Sequence, residues 1–521
     1  MVNMSAFKKL AGDTALYGIS TIVARSVNFL LAPIQTYAFT QPASLSSNVT
    51  LYAWIGVLLT VYTLGLETAF FRFAARNKGI ENEFERVRVF NRTLTIVGAL
   101  SLVATILILL FATPITSALG YPGQERFIRW TALLVGIDAI MAIPFARLRV
   151  ENKARQFVYA KIINILLNVG LNAFFLILCK DIVEGQYLPQ LRPVAEFFYR
   201  PEIGAGYILV ANLIANALYF LILRGAFRGF KPAFEWPEAK ALVVYAFPIM
   251  LTGLAGVLNA LTDRLFLREF LPDGFYAGFS SEDALGIYGQ CFKLSVFISL
   301  AIQSFKFAAE PFFFGQAGDK NAPDLLARVT KWFIIVCVLL WVAVSLNMDL
   351  AGRLLSKKYR VGLGVVPLLM LGNLLLGIYY NISFWFKLSD KTKFGTLITV
   401  VGLAVTFGLN WLLIPQIGYM GCAWAFLASS FVMMALCYVL GERYYPVPYN
   451  IPSALSYVVG GGLLIYLNSL IHISNLWVAV PFHLALFGLF VGCIVVTEWD
   501  TIGDGLARLK RPDGAQKSPT S

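Results

Sequence analysis

The chain has 521 residues, of which 58% are hydrophobic and 14% charged, and its mean hydropathy is +0.71. This is more apolar surface than one water-soluble core can bury, which excludes a soluble globular domain and indicates a protein of the lipid bilayer. The net charge of +13 does not indicate a nucleic-acid partner, because the basic residues are spread over short loops and form no single patch.

About fourteen segments are apolar over the roughly 20 residues that a helix needs to cross the hydrocarbon. They lie at 12–39, 49–73, 92–117, 127–147, 157–179, 204–223, 241–270, 284–309, 332–351, 363–386, 394–414, 418–440, 452–471 and 475–497. The first segment is too long for the core of a signal peptide and is interpreted as a retained helix. The sequence therefore predicts an all-α polytopic membrane protein.

The distribution of basic residues predicts the topology. With both termini cytoplasmic, about 28 of the 42 Lys and Arg fall in cytoplasmic segments, which agrees with the positive-inside rule. One loop departs from this pattern, because RLLSKKYR at 353–360 is basic and falls on the outer side.

Cysteine and histidine give no sign of a metal site, a disulfide framework or an enzyme. The six Cys lie in or beside apolar segments without CxxC spacing. The two histidines, His472 and His483, lie near the last two helices and have no catalytic constellation around them. We therefore expect no enzymatic activity and no cofactor.

A repeated phrase divides the chain into related halves. FRFAAR at 71–76 closes the second helix and FKFAAE at 305–310 closes the eighth, and in both helices a Tyr lies 15 residues before a polar residue, Tyr52 before Glu67 and Tyr288 before Gln303. Repeats six helices apart predict two parallel six-helix bundles related by a pseudo-two-fold axis along the membrane normal. The predicted units are 1–230 and 231–445, followed by two additional helices and a cytoplasmic tail at 446–521.

Polar side chains form narrow stripes on three predicted helices at 100° per residue. The stripes are Thr14, Tyr17, Thr21, Arg25 and Asn28 in helix 1, Tyr52, Gly56, Thr60, Thr63 and Glu67 in helix 2, and Tyr245, Thr252, Gly256, Asn259 and Asp263 in helix 7. Thr and Asn are also common as hydrogen-bonding contacts between helices, which is our interpretation of the ladder Asn164, Asn168 and Asn172. Charged groups are costly in the bilayer, so Arg25, Asp263, Arg264 and Lys293 favour a water-filled, net cationic cavity.

Such a cavity suits an anionic amphiphile whose head crosses while its tail stays in lipid. With a negative cell interior, moving one negative charge outward gains about 2.3 kcal/mol per 100 mV, and no ATP-binding motif is needed for that step. Helices 13 and 14 carry almost no charge. They either pack against the other helices with no further role or form a groove for a lipid tail. Pro33 and Pro248 are expected to bend helices 1 and 7.

Three stretches resemble a known family: GLETAFFRFAAR at 65–76, NALTDRLFLREFL at 259–271 and IYGQCFKLSVF at 287–297 with FKFAAEPFFF at 305–314. They resemble bacterial polysaccharide, or lipid-linked oligosaccharide, flippases of the multidrug/oligosaccharidyl-lipid/polysaccharide (MOP) exporter superfamily. The resemblance implies export of undecaprenyl-pyrophosphate-linked oligosaccharide across the bacterial inner membrane by alternating access, for O-antigen, capsule or exopolysaccharide. The implied partners are this glycan lipid, membrane lipid, and polymerase and chain-length proteins of the same pathway.

Carried onto this sequence, the resemblance nominates cationic residues for the pyrophosphate and carboxylates for coupling to H⁺ or Na⁺. The expected substrate-binding residues are Arg25, Asn28, Asn259, Arg264 and Lys293. The expected coupling or gating residues are Glu67, Asp263, Arg72, Lys306 and Glu310, of which the last three lie at the predicted cytoplasmic mouth.

Three alternatives remain open. A lipid II flippase shares the expected fold and nearly the same chemistry, and only the substrate separates it. A cation-coupled multidrug antiporter needs an anionic, aromatic pocket, whereas the charges within the predicted helices lean cationic. A membrane-embedded polysaccharide polymerase needs a catalytic constellation, of which the sequence shows no sign.

Overall fold

A computed structural model describes residues 27, 29–75, 82–151, 153–315, 322–389, 391–471, 473 and 475–499. Most of these residues are in helices, and the described residues contain no β-strand. Thirteen helices are long and apolar enough to cross a membrane, one for each predicted segment except the first, which is described only in part. The predicted all-α polytopic architecture is confirmed.

The helices are labelled α1 to α14 after the predicted segments, and an interrupted helix keeps one label. The bounds are α1 Leu31–Ala38; α2 Ser46–Thr63 and Leu66–Ala75; α3 Asn82–Leu110 and Ala112–Ala118; α4 Glu125–Val150; α5 Ala154–Ala173 and Lys180–Val183; α6 Tyr207–Ala217 and Tyr219–Ile222; α7 Trp236–Phe270; α8 Ser281–Gly315; α9 Ala322–Leu346 and Met348–Gly352; α10 Val365–Ile382 and Phe384–Leu388; α11 Lys393–Ile417; α12 Tyr419–Tyr444; α13 Ile451–Ser469; and α14 Leu476–Thr497.

The break in α2 is a feature that the hydropathy pattern does not predict. Leu64 and Gly65 both take positive φ, of 50° and 70°, and end the first part of the helix. A Cβ on Gly65 would lie 2.7 Å from the carbonyl oxygen of Ala246 in α7, so the glycine allows the two backbones to approach closely. By contrast, α7 continues as one helix of 35 residues through Pro248.

Helix contacts recur in the two halves of the chain. Six contacting pairs within α1 to α6 have a counterpart six helices along, from α7–α11 to α11–α12; they are α1–α5, α2–α3, α2–α4, α3–α4, α4–α6 and α5–α6. The α4–α5 contact has no counterpart of similar extent. Helices α13 and α14 both pack on α9. This pairing agrees with parallel repeats, and α1–α6 are called here the N-half and α7–α12 the C-half.

The halves meet where α2 packs along α7 and where α1 and α2 contact α8. Because each spanning helix reverses direction, the connections α1–α2, α3–α4, α7–α8 and α9–α10 lie at one end of the molecule, called the α1–α2 end. The predicted topology places this end outside the cell.

Candidate functional site

A cavity of about 520 Å³ lies between the two halves. Residues of α1, α2, α5 and α6 line it from the N-half, and residues of α7 and α8 line it from the C-half. Its size is typical of a small-molecule site. Gln35, Tyr52 and Arg264 are all within two turns of their helix ends, so the cavity lies nearer the α1–α2 end.

Two predicted substrate-binding residues, Arg264 of α7 and Lys293 of α8, line this cavity together. The guanidinium of Arg264 stacks over the ring of Phe292, with 3.8 Å from Cζ to the ring centroid. The Lys293 ammonium donates to Oε1 of Gln35 at 2.6 Å and to Oε1 of Gln290 at 3.0 Å. Among the described residues neither cation forms an ion pair with a carboxylate, so this wall keeps its positive charge unneutralised.

Asn259, also predicted to bind substrate, lies elsewhere. Its Oδ1 accepts from the hydroxyls of Thr406 at 2.5 Å and Ser429 at 3.1 Å, and these bonds join α7 to α11 and α12. Asp263 is buried and accepts hydrogen bonds from the Tyr288 hydroxyl and from the backbone N–H of Arg264. The structure thus brings Arg264 and Lys293 together, but it places Asn259 and Asp263 in contacts within the C-half.

Apart from Asp263, the predicted coupling or gating residues with described side chains lie toward the opposite end of the helices. Glu67 forms an ion pair with Arg149 of α4, within the N-half. The Arg72 guanidinium lies 4.2 Å from the ring centroid of Tyr245 in α7, a contact between the halves. Lys306 lies 5.2 Å from the ring centroid of Tyr380 in α10.

Three predicted site residues lie outside the described residues. Arg25 and Asn28 precede α1 and are not among the described residues, and for Glu310 only the backbone is described, within α8. Their predicted roles in substrate binding and gating stay predictions.

Five polar residues that were not predicted to lie at a site also line the cavity. They are Gln35, Asn48, Asn168, Asn212 and Gln290. One signal in the sequence was available, since Asn168 is the centre of the ladder interpreted as contacts between helices. That interpretation is correct for Asn164 and wrong for Asn172 among the described contacts. Asn164 donates to Asn216 of α6 at 2.8 Å, and Asn172 bonds within its own helix.

At the α1–α2 end, α7 of the C-half contacts the α3–α4 connection of the N-half. Arg268 donates to the carbonyl oxygens of Leu119 at 2.7 Å and Gly120 at 3.3 Å, and it lies 4.2 Å from the ring centroid of Tyr121. A cation at the C-terminus of α3 satisfies carbonyls that the helix leaves unpaired and is favoured by the helix dipole.

The equivalent contact joins α1 of the N-half to the α9–α10 connection of the C-half. The hydroxyl of Tyr37 donates to the carbonyl oxygen of Arg353 at 2.8 Å, and that of Tyr359 donates to Phe39 O at 2.6 Å. This connection contains the basic loop that departs from the predicted charge bias, and Lys358 bonds Oε1 of Gln41 at 2.7 Å. Together with the Arg268 contact, these bonds are called the cross-half contacts.

The connection between α6 and α7, which joins the two halves, is bonded to α3 of the N-half. Arg92 of α3 pairs with Glu235 at 2.8 Å and with Glu238, and the Thr95 hydroxyl accepts from Ala233 N at 3.1 Å. The hydrogen bond and positive charge of Arg92 lower the pKa of Glu235 below its ordinary value. The start of α7 is therefore bonded to the N-half, while Asn259 and Asp263 bond its later turns to the C-half.

No protein-family model matches the sequence, and no curated protein matches it either. Solved structures do. The lipid II flippase MurJ in an inward closed conformation superposes with a TM-score of 0.69 and 14% identity over 94% of this chain and 99% of that one. An inward-facing multidrug resistance MATE family transporter of the MOP superfamily superposes with a TM-score of 0.57 and 13% identity, over 88% of this chain and 100% of that one.

A third similar structure is a MOP superfamily transporter from Pyrococcus furiosus, described as having a binding pocket of reverse polarity that suggests a different function. It gives a TM-score of 0.52 and 15% identity over 88% of this chain and 97% of that one. Each alignment spans most of both chains, and the expectation drawn from the sequence resemblance is met at the level of fold: this chain has the fold of the MOP superfamily transporters.

Proposed function

We propose that the chain is a flippase that exports undecaprenyl-pyrophosphate-linked oligosaccharide across the bacterial inner membrane by alternating access. The polymer served is O-antigen, capsule or exopolysaccharide, and polymerase and chain-length proteins of that pathway are the proposed partners. The observation that carries the proposal is the pairing of Arg264 and Lys293 in one cavity between two halves of a transporter fold.

The electrostatics of the cavity favour an anionic head group. Lys293 is held only by carboxamide oxygens and Arg264 by an aromatic face, both weaker partners than a diphosphate. Charge-assisted hydrogen bonds to an anion are shorter and about twice as strong as neutral ones. A cationic drug would meet repulsion from the same two groups, so the multidrug antiporter is the less favoured member of this fold class.

A lipid II flippase is the second candidate, since the likeness to MurJ covers nearly the whole chain. Lipid II and undecaprenyl-pyrophosphate oligosaccharides share the diphosphate that Arg264 and Lys293 would bind. The two candidates differ only in what is attached to that diphosphate, so they require a direct comparison of substrates.

Coupling to H⁺ or Na⁺ is proposed only as an addition to this transport. Both nominated carboxylates have partners: Glu67 pairs with Arg149, and Asp263 accepts from Tyr288. An ion that competes for either carboxylate would weaken a helix contact and so favour one conformation of the halves. The membrane potential alone also favours outward movement of a diphosphate, by about 2.3 kcal/mol per charge per 100 mV.

The test uses the purified full chain in liposomes with three probes: an undecaprenyl-pyrophosphate oligosaccharide, lipid II and the cationic dye rhodamine 6G. We expect transbilayer movement of the oligosaccharide lipid, and about a ten- to hundredfold slower rate for Arg264→Ala and for Lys293→Ala, because each loses a charge-assisted hydrogen bond. Arg192→Ala is the matched control, since Arg192 is exposed and pairs with Glu196 on its own short helix.

Three results would contradict the proposal. Unchanged movement in both cavity variants would show that the cations do not bind the head group. Movement of lipid II but not of the oligosaccharide lipid would assign the second candidate, and movement of the dye alone would assign an antiporter.

A further inference from the structure

The two walls of the cavity differ in chemistry. The C-half wall carries Arg264 and Lys293. The N-half wall carries neutral polar side chains from four helices, and none of its described lining residues is charged. Gln35 of α1 already accepts from Lys293. The others are Asn48 and Tyr52 of α2, Asn168 of α5 and Asn212 of α6; these four are called the amide wall.

Asn48 has an acceptor that the protein leaves unused. It is 4% exposed, and its Nδ2 donates to the carbonyl oxygen of Ala205 at 3.1 Å. Its Oδ1 is buried and has no hydrogen-bond partner among the described residues. A buried polar atom without a partner costs about 1–3 kcal/mol, so Asn48 holds an unsatisfied acceptor in a residue that lines the cavity.

The other members of the amide wall also keep hydrogen-bonding capacity. Asn168 accepts from Asn172 at 3.0 Å through its Oδ1, and within the described part of the chain its Nδ2 donates to no partner. Asn212 donates to the Tyr52 hydroxyl at 3.0 Å, which leaves the hydroxyl proton of Tyr52 for another acceptor. Tyr52 keeps 36% of its surface accessible although it lines an interior cavity.

Asn48 and the Asn212–Tyr52 pair each make one contact between segments, but within the described part of the chain Asn168 makes none to another helix, although α5 and α6 make such a contact one turn away. Asn164 donates to Oδ1 of Asn216 at 2.8 Å, and Asn216 donates to Asp138 of α4 at 2.6 Å. Asn164 and Asn216 lie four residues from Asn168 and Asn212, on the same two helices. The pair that holds the helices together is therefore satisfied, and the pair one turn along lines the cavity.

We propose that the amide wall is a glycan subsite, which binds uncharged hydroxyl and acetamido groups of the sugar next to the diphosphate, while Arg264 and Lys293 bind the diphosphate itself. This inference rests on the proposed function. Carboxamides and a phenol offer both donors and acceptors, as sugar hydroxyls and acetamido groups require, and an aromatic ring offers an apolar face. A wall without charge suits neutral sugars better than a peptide stem with carboxylates.

The test measures the affinity of the purified full chain for two lipids that share a diphosphate: undecaprenyl pyrophosphate, and the same lipid carrying one N-acetylhexosamine. For Asn168→Ala, Asn212→Ala and Tyr52→Phe we expect a loss of about five- to tenfold for the sugar-bearing lipid, the size of one hydrogen bond, and less than about twofold for the sugar-free lipid. Tyr52→Phe keeps the ring and removes only the hydroxyl, so it remains informative if an alanine variant misfolds.

Asn164→Ala is the matched control, expected to lower the unfolding temperature without changing the ratio of the two affinities. Equal losses for both lipids, no loss for either, or a wild type that does not prefer the sugar-bearing lipid would each overturn the glycan subsite. Arg264→Ala separates the two proposals, because it should weaken both lipids alike. If the wild type binds neither lipid, the proposed function fails, and the subsite fails with it.

Discussion

At the scale of residues, the charged side chains that lie among the helices differ in their partners. Glu67 has Arg149 and Glu498 has Lys331 as ion-pair partners, whereas Arg264 and Lys293 contact only neutral groups among the described residues. Charges inside a membrane protein are costly, and they are kept either by pairing or by facing a polar cavity. The paired charges hold helices together, and Arg264 and Lys293 lie in the cavity proposed to bind substrate.

Glu498 offers a test of a paired charge. Its side chain is only 3% exposed and accepts from Lys331 Nζ at 2.5 Å and from the Tyr457 hydroxyl at 2.6 Å, which joins the end of α14 to α9 and α13. We expect Glu498→Ala to destabilise the protein by about 3 kcal/mol, because it leaves Lys331 without its carboxylate. The measurement is thermal unfolding in detergent.

The control for this prediction is Glu184→Ala. Glu184 is half-exposed and pairs with Lys180 one turn away, an arrangement worth about 0.5 kcal/mol or less. Equal unfolding temperatures for the two variants would show that α14 is not held by Glu498.

At the scale of elements, α7 belongs to both halves. Its first turn is bonded to α3 through Arg92, whereas Asn259 and Asp263 bond its later turns to α8, α11 and α12. A helix bonded along its length to two different bodies must bend or rotate when those bodies move. The break in α2 at Leu64 and Gly65 lies against α7 and supplies a point of flexure beside it.

The connection before α7 gives the second prediction. We expect Arg92→Ala to speed amide hydrogen exchange over residues 224–238, because the variant removes the pairs with Glu235 and Glu238. Arg88→Ala is the matched control, one turn earlier on α3 and paired mainly with Glu85. Equal exchange in both variants would contradict a specific role for Arg92.

The same contact has a defined pH dependence. Because the pKa of Glu235 is lowered in the folded protein, its pairing stabilises the connection above the ordinary carboxyl pKa and is lost as the pH falls through the lowered value. Exchange over 224–238 should therefore rise on acidification in the wild type and change less in Arg92→Ala. A rise of equal size in the variant would assign the effect to other groups.

At the scale of the whole molecule, the cross-half contacts close the α1–α2 end. They connect equivalent elements, since α7 contacts the α3–α4 connection and α1 contacts the α9–α10 connection. Two equivalent contacts between moving halves are expected to break together when this end opens, as alternating access requires.

This gives the third prediction, on Arg268→Ala and Tyr359→Phe. Each variant loses hydrogen bonds across the halves, and we expect the population open at the α1–α2 end to rise by about tenfold. The measurement is the labelling rate of a cysteine placed at Ala53, which lines the cavity, by a membrane-impermeant maleimide. Arg192→Ala is the control, and an unchanged rate in both variants would show that these contacts do not set the closed state.

Much of the fold follows from the sequence, because crossing the bilayer requires long apolar helices, and such helices are visible as long segments of high hydropathy. All thirteen fully described segments were predicted as helices. The cost of charge in lipid predicted one cavity for Arg25, Asp263, Arg264 and Lys293, and of these Arg264 and Lys293 line it while Asp263 bonds within the C-half. The break in α2 was not predicted, because Leu64 and Gly65 interrupt no apolar run. Its cause is the backbone of α7, which is remote in sequence.

What the sequence by itself determined is the class of protein, a helical bundle in a bilayer with cations inside it, because burial in lipid constrains every residue of a spanning helix. Only the tertiary structure decided which polar residues share the cavity. Asn168 and Asn164 have the same chemistry and the same helix, and they differ in what the neighbouring helices place beside them. Helix packing is a property of side chains far apart along the chain, and periodicity within one helix does not contain it.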